Sequence, residues 1–431
     1  MANSTWPPSA NAFKEEILPL RARADVRNAW LRQRLDQVLP DIMQREGFDM
    51  WIVAAREYNE DPVMMTLLPE PAMSARRRTI FVFSLQEGGV LQRFTLDRYG
   101  HEDYYEAAWD PGQETQYECL ARLVQERDPQ VIGLNVSETF AFADGLTHTE
   151  HANILAALGE AYTPRIKGAE RLAVGWLERR IEPELIVYPG IVEIGHAIIT
   201  EAFSSRTIQP GVTTTEDVVW WMRQKMLDLG LRAWFQPTVD LQAAGAPAGP
   251  IGKTDKGRRT LILPGDMLHC DMGFHYLGLA TDQQQLAYVP KPGEEDAPDG
   301  LKAGLADGNR LQDLHLAAMQ VGRTGNQVLK AAIRRAKGEG IQAMIYTHPI
   351  GYHGHAAGPT IGLWDQQGGV SGQGDYELYG DTCYSIELNV KKAVPEWDGQ
   401  EVMFALEEDA VLSGDRIRWL SGRQTAFHLI G

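Results

Sequence analysis

Asp271 and Asp282 impose the tightest constraint on how this chain folds. They lie eleven residues apart (282 − 271), each in a short segment of strand-like character: Asp271 sits in Asp266-Met267-Leu268-His269-Cys270-Asp271-Met272-Gly273, and Asp282 closes Gly278-Leu279-Ala280-Thr281-Asp282. That spacing is enough for one strand, a tight turn and a returning strand. Such a hairpin brings two carboxylates to one place, where like charges repel unless cations neutralise them. His348, Glu387 and Glu407, each in a strand or strand-end context, extend the set downstream. Four carboxylates and one imidazole make an oxygen-rich group with a single nitrogen donor. That composition suits Mn, Co, Fe or Zn in a reactive site better than a structural zinc, which prefers Cys and His. Two cations sharing bridging carboxylates could activate a water for attack on a carbonyl.

The order of these residues resembles that of the pita-bread metallopeptidases, the family of methionine aminopeptidase, Xaa-Pro aminopeptidase and prolidase. The family order is Asp, a second Asp eleven residues on, then His, Glu and Glu. Pro264-Gly265-Asp266 through Asp271-Met272-Gly273 resembles the family's first-Asp strand, and Thr281-Asp282 resembles its second. Thr347-His348-Pro349-Ile350-Gly351 resembles the family's His-x-x-Gly, with His355 seven residues later, where the family carries a second His. Tyr384-Ser385-Ile386-Glu387 and Leu406-Glu407-Glu408-Asp409 resemble the strands of the last two ligands.

The resemblance implies two divalent metal ions per chain, Mn foremost with Co, Zn or Fe as alternatives. Their ligands would be Asp271, Asp282, His348, Glu387 and Glu407. It further implies catalytic roles for Glu387, as general base on the attacking water, and for His355, as a stabiliser of the reacting carbonyl. Gly354-His355-Ala356-Ala357-Gly358 also fits a Gly-His-x-x-Gly reading. Either His348 or His355 is therefore open as the nitrogen ligand, and the gap-free register favours His348. Glu407 and Glu408 are adjacent, so they point to opposite faces of a strand, and the register favours Glu407.

The chain has 431 residues, too many for one ordinary core, so two domains are expected. Residues 29–46 read as an amphipathic helix, and strands are expected at 50–54, 79–83, 91–96 and 131–136. This alternation resembles the N-terminal domain of the prolidase and creatinase branch, which methionine aminopeptidases lack. The expected architecture is α/β (mixed α+β): a creatinase-like N-terminal α/β domain over 1–178 and a pita-bread catalytic domain over 179–431. Charge and proline between Arg179 and Pro189 mark the boundary. Gln209-Pro210-Gly211-Val212-Thr213 and Gln320-Val321-Gly322-Arg323-Thr324 each precede an expected helix, hinting at an internal duplication. The first of these helices carries a capping-box pattern at Thr213 and Glu216, and the second is expected over 326–337. Lys291 to Gly300 reads as a solvated loop.

A net charge of −17 argues against nucleic acid and anionic membranes as partners. No run of 18 apolar residues occurs, so no membrane span is expected, and the N-terminus lacks an apolar h-region. A cytoplasmic homodimer acting on a short peptide or another small molecule is expected. Cys119, Cys270 and Cys383 lie far apart, form no ligand or disulfide pattern, and read as buried fillers. Gly249 to Thr254 superficially suggests a phosphate-binding loop, but its spacing requires a glycine where Pro247 stands, so it reads as a plain loop.

The resemblance frays around the expected ligands. A further family His about 17 residues before the first Asp is Thr254 here, and one four residues before the metal His is Met344. The usual Glu-Pro-Gly is Glu387-Leu388-Asn389, and an Arg often found two residues before the last Glu is Ala405. The metal set is intact and the substrate surroundings are altered. Dinuclear metal-dependent hydrolysis of short Xaa-Pro peptides is the leading expectation. The same site acting as hydrolase or lyase on a non-peptide compound is the second, and a catalytically silent binding module is the third.

Overall fold

The computed structural model describes residues 9–101, 103–246 and 259–431. The chain divides into two units, Pro19–Pro183 and Glu184–Gly431, the second also taking in residues 9–18. The expected boundary at 178/179 lies five residues before this division (183 − 178). Residues 9–18, expected with the first domain, pack on the second unit instead. Ala10 N donates to Glu201 Oε2 at 2.8 Å and Leu18 N to the Tyr276 hydroxyl at 2.9 Å. Position along a sequence says nothing about where a terminal segment docks.

In the first unit, the helix expected over 29–46 begins earlier. α1 (Leu20–Gln33) runs through a π-helical turn (Arg34–Val38) into α2 (Leu39–Glu46) and ends at Gly47 with φ 71°. Pro40 has no N–H to give residue 36, and the widened turn sits where that bond is missing. The expected strands appear as β1 (Met50–Arg56), β2 (Arg78–Leu85), β3 (Leu91–Thr95) and β5 (Ile132–Leu134). Two short strands, β4 (Glu106–Ala107) and β6 (Ile166–Gly168), are too brief to leave a periodic signal. The sheet order is β4-β3-β2-β1-β5-β6. Central β1 is apolar on both faces because both are covered. Helices α3 (Pro62–Leu67), α4 (Gln116–Arg127), α5 (His148–Tyr162) and α6 (Glu170–Glu178) complete the unit. Leu120, Leu123 and Val124 of α4 pack with Ile52, Ile80 and Val82 of the sheet.

The second unit opens on α7 (Glu182–Ala202), which contains Pro189 instead of breaking there. This helix is long and apolar enough to cross a membrane, yet half of its most apolar stretch is buried inside the unit. Its Tyr188 hydroxyl donates to Ala280 O, as a core helix does. α8 (Thr215–Asp228) and α10 (Gly325–Gly338) are the two helices flagged by the repeated motif. Both carry capping boxes, Thr324 with Gln327 and Thr214 with Asp217. The first lies one residue later than the sequence suggested, because the Thr213 hydroxyl is taken by Gln209 N at 2.9 Å. α9 (Asp299–Leu316) begins inside the expected loop, whose remainder is mostly exposed. The motif at Gly249 to Thr254 lies outside the described residues.

The remaining strands follow in order. They are β7 (Arg232–Ala233), β8 (Thr238–Gln242), β9 (Met267–Met272), β10 (Phe274–Tyr276), β11 (Leu279–Ala280) and β12 (Gln283–Tyr288). Beyond α10 come β13 (Gln342–Ile345), β14 (His348–Ile350), β15 (Thr382–Ser385) and β16 (Leu388–Val394). β17 (Gln400–Leu406), β18 (Asp409–Ser413), β19 (Arg416–Trp419) and β20 (His428–Leu429) close the unit. They form sheets β20-β12-β9-β8, β13-β16-β17, β14-β15-β18-β19 and β11-β10-β7.

The core of this unit lies between α9, α10 and the β13-β16-β17 sheet. Glycine costs a helix interior about 1 kcal/mol relative to alanine. α9 carries three at a spacing of four, and they let the sheet approach. A Cβ on Gly304 would stand 2.1 Å from Phe404, and one on Gly308 2.8 Å from Leu406. The helix thereby seats β17, whose end delivers Glu407.

Candidate metal centre

Strand register gathers the five residues. Asp271 on β9 lies opposite Gln284 on β12. Between them β10 and β11 form a hairpin whose Leu277 and Gly278 have φ 53° and 83°. Two consecutive left-handed residues make the tight turn whose twist matches the flanking strands, so the chain returns and sets Asp282 at the head of β12. Glu407 follows β17 and exchanges both backbone hydrogen bonds with Gln284, at 3.0 and 3.1 Å. His348 opens β14 opposite Ser385, and Glu387 sits in the step between β15 and β16.

The side chains converge. His348 Nε2 lies 3.3 Å from Glu407 Oε1 and 3.7 Å from Asp282 Oδ2. Ligand atoms of Asp271, Asp282 and Glu407 lie within 4.8 Å of one another, and so do those of His348, Glu387 and Glu407. Asp282, His348 and His355 form a third such group, so the structure brings both candidate histidines to the cluster. His348 Nδ1 is 3.0 Å from Pro349 O. Donation to that carbonyl puts the proton on Nδ1 and leaves the Nε2 lone pair facing the carboxylates.

Burial, followed by repulsion from Glu407, holds the carboxyls of Asp271, Asp282 and Glu387 well above the usual carboxylate range. Asp271 Oδ1, Asp282 Oδ1 and His348 Nε2 are buried with no hydrogen-bond partner. Buried acceptors are almost always satisfied, so three orphaned lone pairs in one place call for an electron-pair acceptor. The donor set fits divalent cations.

Glu408 points away, as adjacent strand residues must. It takes hydrogen bonds from Gln285 Nε2 at 2.7 Å and Gln424 N at 3.2 Å, and meets His196 Nε2 at 2.6 Å. Gln284 was missed by sequence reasoning. Its Nε2 donates to Glu387 Oε1 at 2.9 Å and Glu407 Oε2 at 2.6 Å. Its Oε1 accepts from His269 Nε2 at 2.8 Å, and Asp240 Oδ2 stands 3.8 Å from His269 Nδ1. A signal existed: Gln283, Gln284 and Gln285 are three consecutive amides in a strand, all at most 4% exposed, and buried amides imply partners. Ser385 was also missed; its hydroxyl donates to Glu407 Oε1 at 2.7 Å.

The sequence profile of metallopeptidase family M24 matches residues 191–413, more than half of the chain. The chain belongs to metallopeptidase family M24. No curated protein sequence matches this M24 chain. Among solved structures, an X-Pro aminopeptidase from Thermotoga maritima MSB8 is 16% identical with a TM-score of 0.64, covering 90% of this chain and 99% of that one. An Xaa-Pro dipeptidase from Bacillus anthracis is 15% identical with a TM-score of 0.61, covering 93% and 100%. The N-terminal domain of FACT complex subunit SPT16 from Cicer arietinum is 10% identical with a TM-score of 0.55, covering 94% and 99%. The M24 chain therefore has the pita-bread fold preceded by an N-terminal domain, as expected.

Around the cluster of this M24 protein, His355 stands edge-on to His348, with ring centroids 4.6 Å apart, and 5.2 Å from Trp234. His355 is exposed by surface area, although the rings of Trp234, Tyr346 and His348 pack around it. Burial, with His348 beside it, pushes its pKa down to about 4, so it is neutral at pH 7 and can donate one N–H. Trp234 is held by donation to Thr281 O at 2.9 Å, and no sequence signal singled it out among eleven tryptophans. Trp220, by contrast, is largely exposed. Cys270 and Cys383 are buried thiols without a disulfide, as expected of fillers.

Three departures from the family pattern turn out to be neighbours. Met344 on β13 pairs with Asn389 on β16, which pairs with Ala405 on β17. Asn389 Nδ2 lies 3.3 Å from Met344 Sδ. Asn389 lies two residues beyond Glu387, and the two-residue spacing from Ala405, near the end of β17, to Glu407 places both on one face. The three departures form one row across one sheet.

Proposed function

We propose that this chain is a dinuclear metal-dependent hydrolase of short peptides, of Xaa-Pro aminopeptidase or dipeptidase type. One observation carries the reading: four buried or half-buried carboxylates converge with a buried histidine whose Nε2 lone pair faces them, and three of these acceptor atoms have no hydrogen-bond partner. Asp271, Asp282, His348, Glu387 and Glu407 would hold the two ions, with Mn the expected metal. Bound there, such ions supply Lewis-acid polarisation of a carbonyl and a nucleophile at neutral pH. Glu387 takes the proton of the attacking water and returns it to the departing amine. Neutral His355 donates to the oxygen on which negative charge develops. Gln284 and Ser385 hold Glu387 and Glu407 in place. The assembly proposed is a homodimer.

The row Met344, Asn389 and Ala405 favours a second reading, in which the same cluster acts on a non-peptide compound. Where the family pattern has His and Arg, this row offers a thioether and a methyl group. A peptide loses charged and donor contacts there, and lost positioning costs several kcal/mol. Poor but detectable activity on Xaa-Pro peptides is therefore expected. The intact donor set weighs against a silent binding module.

Elemental analysis of Mn-loaded, desalted protein should find about two ions per chain, four carboxylates and an imidazole being more donors than one small cation needs. Parental metal content in both Asp271→Asn and Asp282→Asn would sink the proposal. The loaded protein should then be assayed on dipeptides, tripeptides, non-peptide amides and sulfonium compounds. Turnover of a non-peptide compound with no peptide cleaved moves the protein to the second reading.

A further inference from the structure

The first unit carries a feature that the proposed hydrolysis does not use. A cavity of about 270 Å³ is lined by Arg56, Arg76, Arg77, Arg78 and Arg98, with Tyr99, Trp109 and Gln116. Five arginines line it in a chain whose net charge is −17, and no carboxylate is among the lining residues.

The arrangement is built. Arg56 ends β1 and Arg78 begins β2, and the two are directly paired across the sheet. Like charges facing each other destabilise a strand pair, so the fold must offset them. It does so with Glu150, which is fully buried. Arg78 Nε donates to Glu150 Oε2 at 2.8 Å, and Arg56 Nε is 3.3 Å from Oε1. The Tyr117 hydroxyl donates to the same carboxylate at 2.6 Å. One buried carboxylate thus neutralises part of one pair.

The other three have no such partner. Among the described residues, none of Arg76, Arg77 and Arg98 has a carboxylate at ion-pair distance. Arg76 lies over Tyr99 with Cζ 4.9 Å from the ring centroid, and Arg98 lies over Trp109 at 5.9 Å. Stacking orders a guanidinium while leaving its N–H edge free. Arg77 is held at φ 57°, a left-handed conformation that side-chain-bearing residues rarely adopt. Its backbone N donates to Glu57 Oε2 at 3.3 Å and its carbonyl accepts from Glu57 N at 3.0 Å. Strain of this kind persists where surrounding structure enforces it, and it clusters at ligand clamps.

We propose that this cleft binds a small oxyanion of two or more negative charges, a phosphate ester or a polycarboxylate. All five cations are arginine and none is lysine. Only the guanidinium fork pairs two parallel N–H groups with the two oxygens of a phosphate or carboxylate. Several unneutralised forks around one cavity require more than one negative charge. One water needs only about 10–15 Å³ of such space, so a cavity of about 270 Å³ admits a ligand of several heavy atoms.

The test is calorimetric titration of the full, metal-loaded chain with inorganic phosphate, sulfate and succinate at low and high salt. Three proteins are compared: the parent, Arg76→Gln/Arg98→Gln, and Arg416→Gln/Arg418→Gln, which removes the same charge from exposed positions in the other unit. The parent should saturate with at least one dianion. The cleft variant should bind it at least tenfold more weakly, in line with losing charge-assisted hydrogen bonds, with an unchanged melting temperature. The remote variant should bind as the parent does. Phosphate or sulfate preferred over succinate assigns the phosphoryl class, and the reverse order assigns the carboxylate class. No saturation with any dianion, or equal affinity in both double variants, overturns the proposal and leaves the arginines as packing on Tyr99 and Trp109.

Discussion

Gln284 tests whether the surroundings of the carboxylate cluster do more than fill space. Its side chain, 4% exposed, donates to Glu387 and Glu407 and accepts from His269. Gln284→Ala deletes two amide-to-carboxylate hydrogen bonds, each worth about 1.5–3 kcal/mol when the acceptor is charged. The gross loss is about 3–6 kcal/mol. Water entering the vacated volume restores part of it. Comparable losses around metal sites lower metal affinity about 10–100-fold, or about 1.4–2.7 kcal/mol. His269 Nε2 also loses its acceptor, which costs the fold a further 1–3 kcal/mol or so. Competition of a chelator for Mn measures the affinity, and thermal melting with and without metal measures the stability. Gln284→Met keeps the length of the side chain but not its donors, so it should show the same loss of affinity with a smaller drop in melting temperature. Parental Mn affinity in both variants would refute the reasoning.

The two histidines should separate cleanly. His348→Ala should lose metal, because its Nε2 lone pair faces Glu407 and Asp282, whereas His355→Ala should keep metal and lower turnover about 10²- to 10³-fold, the usual loss for one oxyanion donor. Metal content and kcat of each variant check this, and the reverse result assigns the ligand role to His355. Glu178, in the first unit, has its carboxyl pushed up to about 8 from 4.5 by burial. A carboxyl raised on folding binds protons more tightly in the folded state, so its contribution is complete below the unfolded pKa and is lost as pH rises through the folded one. Melting curves between pH 5 and 9 should therefore show Glu178→Gln gaining on the parent by at most about 1.4 kcal/mol per pH unit up to about pH 8, then holding constant. A parallel pH dependence of the two proteins counts against a buried, protonated Glu178.

How much of this was legible in the sequence depends on whether a residue's job shows in its own neighbourhood. Asp271 and Asp282 were legible because a hairpin of that length leaves few alternatives, and the structure builds it with Leu277 and Gly278 in the turn. Glu407 against Glu408 was legible because strand periodicity sends neighbours to opposite faces. The cap of α8 was legible to within one residue, since threonine at a helix start has a local partner. Gln284 was not, because its role comes from a bridge to Glu407, 123 positions away. The docking of residues 9–18 was not, because it depends on Glu201 and Tyr276. The arginine cleft was not, because β1, β2 and the segment after β3 assemble it from positions 56, 76–78 and 98.

The same distinction bears on substrate. Met344, Asn389 and Ala405 read as three separate blemishes on a family pattern. Only the register of β13, β16 and β17 shows them as one row. Within the row, Asn389 Nδ2 lies against Met344 Sδ, so the three side chains share one packing environment. Adjacent residues couple by about 0.5–3 kcal/mol, so restoring one position at a time should fail where restoring the row succeeds. Ala405→Arg alone places a cation beside Met344 and Asn389, which offer it no carboxylate. Met344→His with Ala405→Arg returns two of the family's side chains together. Xaa-Pro dipeptide hydrolysis should rise in the double variant by more than the product of the single effects. An additive outcome, or no rise at all, would mean that the row does not set the peptide preference of this site.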